Sequence, residues 1–213
     1  MRTGRTEERQ GRKAAQREAE ARKKRRTALI WGGIAVVIVL AGIAFAYRSY
    51  SRQQFLNTLT KATYPAAMHV AGPISYKESP PIGGPHNVLW QNCGIYEVPI
   101  HNEHAVHSLE HGAVWITYRP DLPADQVAML KTIASDDYML LSPYPGLDGP
   151  IVATSWNHQL RLADAADPRL ARFIGQLKNN PDTTPEFGAS CYGGTSAPAT
   201  ADTLTNPSQG IAR

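Results

Sequence analysis

The sequence predicts a small α+β domain that follows a single N-terminal transmembrane helix. Three observations support this prediction: an uncharged apolar run near the N-terminus, a Pro- and Gly-rich segment after it, and then short β-branched and aromatic stretches alternating with two amphipathic helical patterns. The predicted sheet is mostly antiparallel and is accompanied by the two helices. A chain of 213 residues has room for one ordinary domain plus extensions.

The chain divides into five predicted segments. They are a basic arm (1–26), a transmembrane helix (27–47), a stalk (48–63), the α+β domain (64–190) and a flexible tail (191–213). The arm has eleven basic and four acidic residues and almost no large apolar ones, so we expect it to be disordered and cytoplasmic. Its positive charge suits anionic lipid headgroups. The rest of the chain has eleven basic and fourteen acidic residues, which does not indicate a nucleic-acid partner.

The predicted transmembrane helix contains an apolar run from Leu29 to Ala46. With its neighbours it reaches the roughly 20 residues needed to cross a bilayer core. The basic cluster Lys23–Arg26 precedes it, so the positive-inside rule places the N-terminus in the cytoplasm and the domain outside. The alternative is a signal peptide cleaved after Ala46, because Ala44-Phe45-Ala46 has small residues at both ends. The run is longer than a typical signal sequence, and both interpretations export the domain.

Within the domain, the local patterns predict an irregular Pro/Gly-rich loop from Tyr64 to Pro85, with His86 directly after it, and then alternating elements. Strands are predicted at 94–100, 113–118 and 138–141, and helices at 123–134 and 168–177, with Asp167 as the cap of the second helix. Residues 150–156 and 158–162 form either one strand bent at Asn157 or a tight hairpin.

Cys93 and Cys191 are the only cysteines of the chain. In an oxidising compartment two cysteines are more often bridged than free, so we predict a disulfide between them. Two free thiols are the alternative.

Histidines are concentrated between His101 and His111, where four of the chain's seven occur. Imidazole is the commonest transition-metal ligand in proteins. His107 and His111 are four residues apart and share a face on either a helix or a strand, whereas Glu110 joins them only on a helix. His101 and His104 are predicted to lie solvated in a polar loop.

The same residues allow other interpretations. The histidines can be structural side chains that only form hydrogen bonds, which is also our interpretation of His158. The sequence from His107 to His111 also matches the His-x-x-Glu-His pattern of zinc peptidases, in which Glu110 would act as the base. Gly112 would end any helix at once, however, and no second long helix supplies a third ligand.

Six motifs, in order, resemble a bacterial family. They are His69-Val70, Pro80-Pro81-Ile82-Gly83-Gly84-Pro85-His86, Gly94-Ile95-Tyr96, His107 to Gly112, Tyr118-Arg119-Pro120 and Ala153 to Trp156. Over about Tyr64 to Glu186 the chain resembles members of the "domain of unknown function 3105" family. Ile82 and Gly83 replace the family's Thr-Ser, so any role of those hydroxyls has no counterpart here. The family has no settled activity, so the resemblance implies positions rather than a reaction. Together with the predicted transmembrane helix, the bacterial family indicates a bacterial cell membrane as the location.

The resemblance implies a candidate ligand set of His69, His86, His107 and His111. Four imidazoles from three segments would suit Zn²⁺ or Cu²⁺. A closed set of four favours binding, and three ligands with an open position permit catalysis. We therefore predict an extracytoplasmic domain that binds a transition metal, Zn or Cu, in a binding or accessory role. The alternatives are a non-catalytic envelope interaction domain with structural histidines, and a metal-dependent hydrolase that uses Glu110 as base.

Overall fold

The computed structural model describes residues 3–205, which divide into two units, one ending at Asn57 and the other beginning at Thr58. The first unit is one long helix, α1 (Thr3–Leu56). This differs from the predicted disordered arm over 1–26, of which only the first two residues lie outside the described part. The arm is rich in Ala, Glu, Lys, Arg and Gln, all good helix formers, and no proline separates it from the apolar run that follows.

The stretch Arg22–Leu56 of α1 is long and apolar enough to cross a membrane, and it is the one such stretch among the described residues. It contains the predicted transmembrane segment 27–47. A membrane anchor and a signal sequence are both apolar helices near the N-terminus, and this stretch fits both.

The second unit is built on one six-stranded mixed sheet. Its strands are β1 (Thr60–Lys61), β2 (Gly94–Ile95), β3 (Val114–Tyr118), β4 (Met139–Pro143), β5 (Ile151–Ser155) and β6 (His158–Leu162), in the spatial order β1-β6-β5-β3-β4-β2. The pairs β1–β6, β5–β6 and β3–β5 are antiparallel, and β3–β4 and β2–β4 are parallel. The α+β class is thus confirmed, but the sheet is mixed where the sequence predicts a mostly antiparallel one.

Three helices accompany the sheet in place of the predicted two: α2 (Asn102–Glu110), α3 (Ala124–Ile133) and α4 (Pro168–Leu177). The last two lie where they were predicted, and the Asp167 side chain accepts a hydrogen bond from the Arg169 N–H at the start of α4. α3 connects β3 to β4, and a helical crossover of this kind is what allows two consecutive strands to run parallel. The added helix, α2, has every residue from Glu103 to Glu110 buried.

The structure decides between the two alternatives for residues 150–162 and corrects the strand predicted at 94–100. β5 and β6 form a hairpin rather than one bent strand, and Asn157 in its turn has a φ of 61°. An asparagine tolerates this left-handed conformation better than most residues. The strand predicted at 94–100 is only two residues long, and the rest of that stretch is irregular.

Cys93 and Cys191 are paired as a disulfide, with Cα atoms 5.4 Å apart, and both lie in the core beside α2. The chain beyond Cys191 was predicted to be a flexible tail over 191–213. Up to residue 205 it instead lies against the domain: the Thr195 N–H donates to the Trp90 carbonyl and the Ala199 N–H to the Pro99 carbonyl, each at 2.8 Å. These backbone hydrogen bonds continue the attachment that the disulfide begins. Residues 206–213 lie outside the described part.

Candidate metal centre

The last turn of α2 brings three side chains that the sequence indicates as candidate ligands to one face of the helix. His107, Glu110 and His111 stand at positions i, i+3 and i+4, which are neighbours on a helix. Gly112 ends the helix with a φ of 101°, and a Cβ there would lie 2.9 Å from Asn179 Cα. Glycine is therefore required at this position, and the helical alternative, in which Glu110 joins the histidines, is the one the chain adopts.

Two more histidines approach from the Pro/Gly-rich loop. His69 and His86 form a parallel β-bridge, in which the Val70 N–H donates to the His86 carbonyl at 2.7 Å and the His86 N–H donates to the Met68 carbonyl at 2.9 Å. This short pairing places the two imidazole centroids 4.9 Å apart. The loop thereby carries both rings to the end of α2.

The loop and the helix together form a group that we call the inner cluster: His69, His86, His107 and Glu110. One ligand atom from each of these residues lies within 4.8 Å of those of the other three. His69 is exposed, and the other three members are buried. The arrangement brings three nitrogens and one carboxylate oxygen around a common point.

Backbone carbonyls determine which ring nitrogen is available for a ligand. Nδ1 of His86 lies 2.8 Å from the Gly84 carbonyl oxygen, and Nδ1 of His107 lies 2.7 Å from that of Asn87. A carbonyl only accepts, so Nδ1 must carry the proton and Nε2 of the neutral ring keeps its lone pair. A hydrogen bond of this kind from the far ring nitrogen is typical of metal-bound histidines.

The closest contact within the inner cluster joins His86 and Glu110. Nε2 of His86 lies 2.9 Å from Oε2 of Glu110, and neither atom has an aligned hydrogen-bond partner among the described residues. The other carboxylate oxygen, Oε1, accepts a hydrogen bond from the Ala67 N–H at 2.6 Å. A neutral imidazole with its proton on Nδ1 would direct a lone pair at the carboxylate. This contact therefore requires a cation, either a proton or a metal ion.

The protonation states suit metal ligands. Burial lowers the pKa of His107 to about 3, and the neighbouring His111, His86 and His69 lower it further, against the opposing hydrogen bond to Asn87. Burial raises the pKa of Glu110, but His86 and the Ala67 N–H outweigh burial and hold that pKa below its usual value. At neutral pH His107 is thus neutral and Glu110 is ionised.

A second group, which we call the outer cluster, consists of His107, His111 and Glu186. Its three ligand atoms also lie within 4.8 Å of one another. Nδ1 of His111 donates to the Ser190 carbonyl at 2.7 Å, and Nε2 lies 3.2 Å from Oε2 of Glu186. Glu186 was missed by the sequence analysis, because it is far from α2 along the chain and has no motif around it. It is held here by its own N–H, which donates to the Glu110 carbonyl at 3.1 Å.

Of the four predicted ligands, the structure brings His69, His86 and His107 together with Glu110, and it places His111 beside His107 in the outer cluster. The prediction that His101 and His104 are solvated in a loop is wrong for His104. His104 is fully buried in α2, with Nδ1 2.6 Å from the Leu89 carbonyl and Nε2 2.8 Å from the Thr203 hydroxyl. It is buried because the segment is helical and because the C-terminal segment covers it.

His101 is half-buried, with Nε2 2.8 Å from the Ala201 carbonyl. His158 is also half-buried, and its Nδ1 lies 2.9 Å from the Trp156 carbonyl. Neither belongs to a cluster of candidate ligands among the described residues. Their contacts agree with a structural role.

The position of Glu110 does not favour the peptidase interpretation. Its side chain is fully buried, one oxygen is held by the Ala67 N–H and the other faces His86. A general base needs an oxygen within hydrogen-bond reach of a water or substrate proton. The geometry suits Glu110 as a ligand rather than as a base.

Comparison with known proteins gives one match. The family model described as "Protein of unknown function (DUF3105)" matches residues 69–193, a range that contains both clusters and both cysteines. No curated protein and no solved structure matches the chain. Because the matched region is more than half of the sequence, the chain belongs to the DUF3105 family.

Proposed function

We propose that this protein is a single-pass membrane protein whose extracytoplasmic domain binds one divalent transition-metal ion at the inner cluster. The observation that supports this most directly is the convergence of His69, His86, His107 and Glu110 with ligand atoms within 4.8 Å of one another. The hydrogen bonds from Nδ1 of His86 and His107 leave Nε2 of each ring free to bind.

The donor set favours Zn²⁺ or Cu²⁺. Imidazole suits zinc and copper, and a carboxylate oxygen completes a four-coordinate set without an open position. Both cysteines are in the disulfide, so no thiolate is available for a softer ion. With metal–ligand bonds of about 2.0 Å, tetrahedral ligand atoms stand about 3.3 Å apart, so the cluster needs only small side-chain shifts to close around an ion. A closed set supports a binding or accessory role.

The membrane part of the proposal rests on α1 and on the disulfide. α1 contains an apolar stretch of sufficient length, and a disulfide persists in oxidising compartments outside the cytoplasm. The basic cluster Lys23–Arg26 before the apolar run would hold the N-terminus in the cytoplasm of a bacterial cell and contact anionic headgroups.

The competing function is an envelope interaction domain in which the histidines only form hydrogen bonds. The Nδ1 contacts of His86, His107 and His111 with carbonyls suit both functions. A useful variant therefore keeps the Nδ1 hydrogen bond and removes Nε2. Asparagine meets this need, because its side-chain amide stands close to the position of imidazole Nδ1 and donates as it does.

The test uses the full-length chain, purified in detergent without a polyhistidine tag. We expect close to one equivalent of Zn²⁺ or Cu²⁺ by elemental analysis, and a rise in Tm when the ion is added to the metal-free protein. His107→Asn should abolish both results while the protein stays folded. His158→Asn, which likewise keeps a donor for the Trp156 carbonyl, is the matched control and should behave as the wild type.

The result that would contradict the proposal is equally direct. A wild-type protein that contains no metal and shows no change in Tm with either ion would leave only the hydrogen-bonding role for these histidines.

A further inference from the structure

We infer that the outer cluster is a second position for the same metal ion, which the ion occupies in alternation with the inner cluster during uptake and release. This inference rests on the proposed function. It assigns a metal-transfer role to His111 and Glu186, which stand beside the inner cluster without belonging to it.

His107 is the residue that links the two positions. Its Nδ1 is held by the Asn87 carbonyl, so Nε2 is its one free ligand atom. Both clusters need that atom, and a lone pair binds one metal at a time. The imidazole centroids of His107 and His111 are only 4.6 Å apart. An ion bound to His107 therefore passes between the clusters by exchanging its other ligands.

The outer cluster is the more open of the two at its carboxylate. The Glu186 side chain is 40% exposed, whereas the Glu110 carboxylate of the inner cluster is fully buried. The N–H of Glu186 donates to the carbonyl of Glu110, so the backbone holds the two acidic residues next to each other. A hydrated ion attracted to Glu186 thus arrives beside the end of α2.

The number of donor atoms at each cluster determines which of the two positions the ion mainly occupies at equilibrium. The outer cluster supplies two nitrogens and one carboxylate, and the inner cluster supplies three nitrogens and one carboxylate. At equilibrium the ion therefore resides mainly at the inner cluster, and the outer cluster is a minor state on the route. His69 gives the inner cluster an exposed ligand of its own, so direct exchange at His69 is the competing route.

The experiment measures Cu²⁺ binding and release by the full-length protein in detergent. Tryptophan fluorescence reports binding, since the Trp90 ring lies 5.0 Å from that of His111 and 5.6 Å from that of His107. Stopped-flow mixing with Cu²⁺ gives the uptake rate, and mixing of the loaded protein with excess chelator gives the release rate.

Two variants disable the outer cluster alone. Glu186→Gln keeps the size of the side chain and the backbone hydrogen bond, and His111→Asn keeps a donor for the Ser190 carbonyl. In each we expect uptake and release to slow together by about tenfold while Kd changes less than about threefold. Glu97→Gln is the control, because Glu97 is an exposed carboxylate that pairs with Lys131 and belongs to neither cluster. Its rates should equal those of the wild type.

His86→Asn disables the inner cluster and leaves the outer cluster intact. It keeps a donor for the Gly84 carbonyl and removes a ligand of the inner cluster only. We expect weaker Cu²⁺ binding with a changed electron paramagnetic resonance spectrum, which reports one nitrogen fewer around the ion. Loss of all binding in this variant would overturn the second position.

The outcomes separate the inference from the function on which it rests. Wild-type rates in both Glu186→Gln and His111→Asn, with metal still bound, would overturn the transfer route and leave the inner site in place. A wild-type protein that binds no Cu²⁺ would overturn both.

Discussion

Nε2 of His86 lies 2.9 Å from Oε2 of Glu110, and both side chains are completely buried. This contact joins the Pro/Gly-rich loop to the last turn of α2. Two lone pairs at this distance in a buried place repel each other unless a cation is bound between them. The proposed metal would meet this requirement and would also attach the loop to the helix.

Glu110→Gln should weaken Zn²⁺ binding by at least about tenfold, because an ionised ligand is replaced by a neutral amide. Isothermal titration of the metal-free protein measures this change in Kd. Glu103→Gln is the matched control: Glu103 is another buried carboxylate of α2, and it accepts a hydrogen bond from the loop N–H of Ile74 at 2.9 Å. Unchanged Zn²⁺ affinity in Glu110→Gln would remove Glu110 from the ligand set.

Gly112→Ala should lower the free energy of unfolding by about 1–3 kcal/mol. The φ of 101° is strained for alanine, and the new Cβ would lie 2.9 Å from the backbone of Asn179. Chemical denaturation of the metal-free protein measures the change. In Gly175→Ala the new methyl group meets no neighbour within 4 Å inside α4, so this variant should be neutral or more stable by about 0.5–1 kcal/mol. Equal stability of the two variants would contradict the requirement for glycine at 112.

The double variant Cys93→Ser, Cys191→Ser should be less stable than the wild type by about 2–5 kcal/mol. The disulfide closes a loop with a sequence separation of 98, so its loss restores much conformational freedom to the unfolded chain. The check is Tm under non-reducing conditions, together with alkylation of the denatured wild type. Labelling of both wild-type thiols without reductant would mean that the bridge does not form.

His104 should make the stability of the metal-free protein depend on pH. Burial lowers its folded-state pKa to about 4, below the ordinary value of 6.5. Above 6.5 the residue is neutral in both states, and its contribution is constant. As pH falls from 6.5 towards 4, the unfolded state takes up a proton that the folded state does not, so stability decreases.

Replacing His104 by asparagine removes the proton uptake of His104 in the unfolded state, and the asparagine amide still provides a donor for the Leu89 carbonyl. Between pH 6.5 and 4, the slope of unfolding free energy against pH should then decrease by up to about 1.4 kcal/mol per pH unit. Urea unfolding across this range, in the presence of a chelator, measures both slopes. Since His107 also titrates in the unfolded state and is unchanged in the variant, the difference isolates His104. Identical slopes would contradict a low pKa for His104.

If the proposed membrane anchor is correct, the protein isolated from a bacterial membrane should retain the apolar run from Leu29 to Ala46 and stay in the membrane fraction after washing with high salt. Intact mass spectrometry of the protein from a bacterial membrane measures this. A shorter chain that begins at Tyr47 would contradict the anchor, because it would show that the apolar run is a signal sequence cleaved after Ala46.

The elements that could be predicted from the sequence are those whose signals are local. α4 has the predicted bounds because its cap, Asp167, and its apolar spacing lie within one short stretch. The hairpin of β5 and β6 depended on the conformation of Asn157, which its neighbours leave open. For the end of α2 the sequence left a helix and a strand open, because nearly all of the residues of α2 are buried and the apolar alternation of a surface helix is absent.

The sequence by itself determined the order of the parts: a basic arm, an apolar run of membrane length, an α+β domain, two cysteines to pair, and histidines in motifs. Periodicity, charge and composition are local properties, and the chain order displays them directly. Only the tertiary structure decided which residues meet. In the structure Glu110, and not His111, lies beside His69, His86 and His107, and Glu186 lies against His111. His104 is buried, in contact with Thr203 of the chain beyond Cys191. These contacts join distant segments through backbone hydrogen bonds and packing, and no local pattern encodes them.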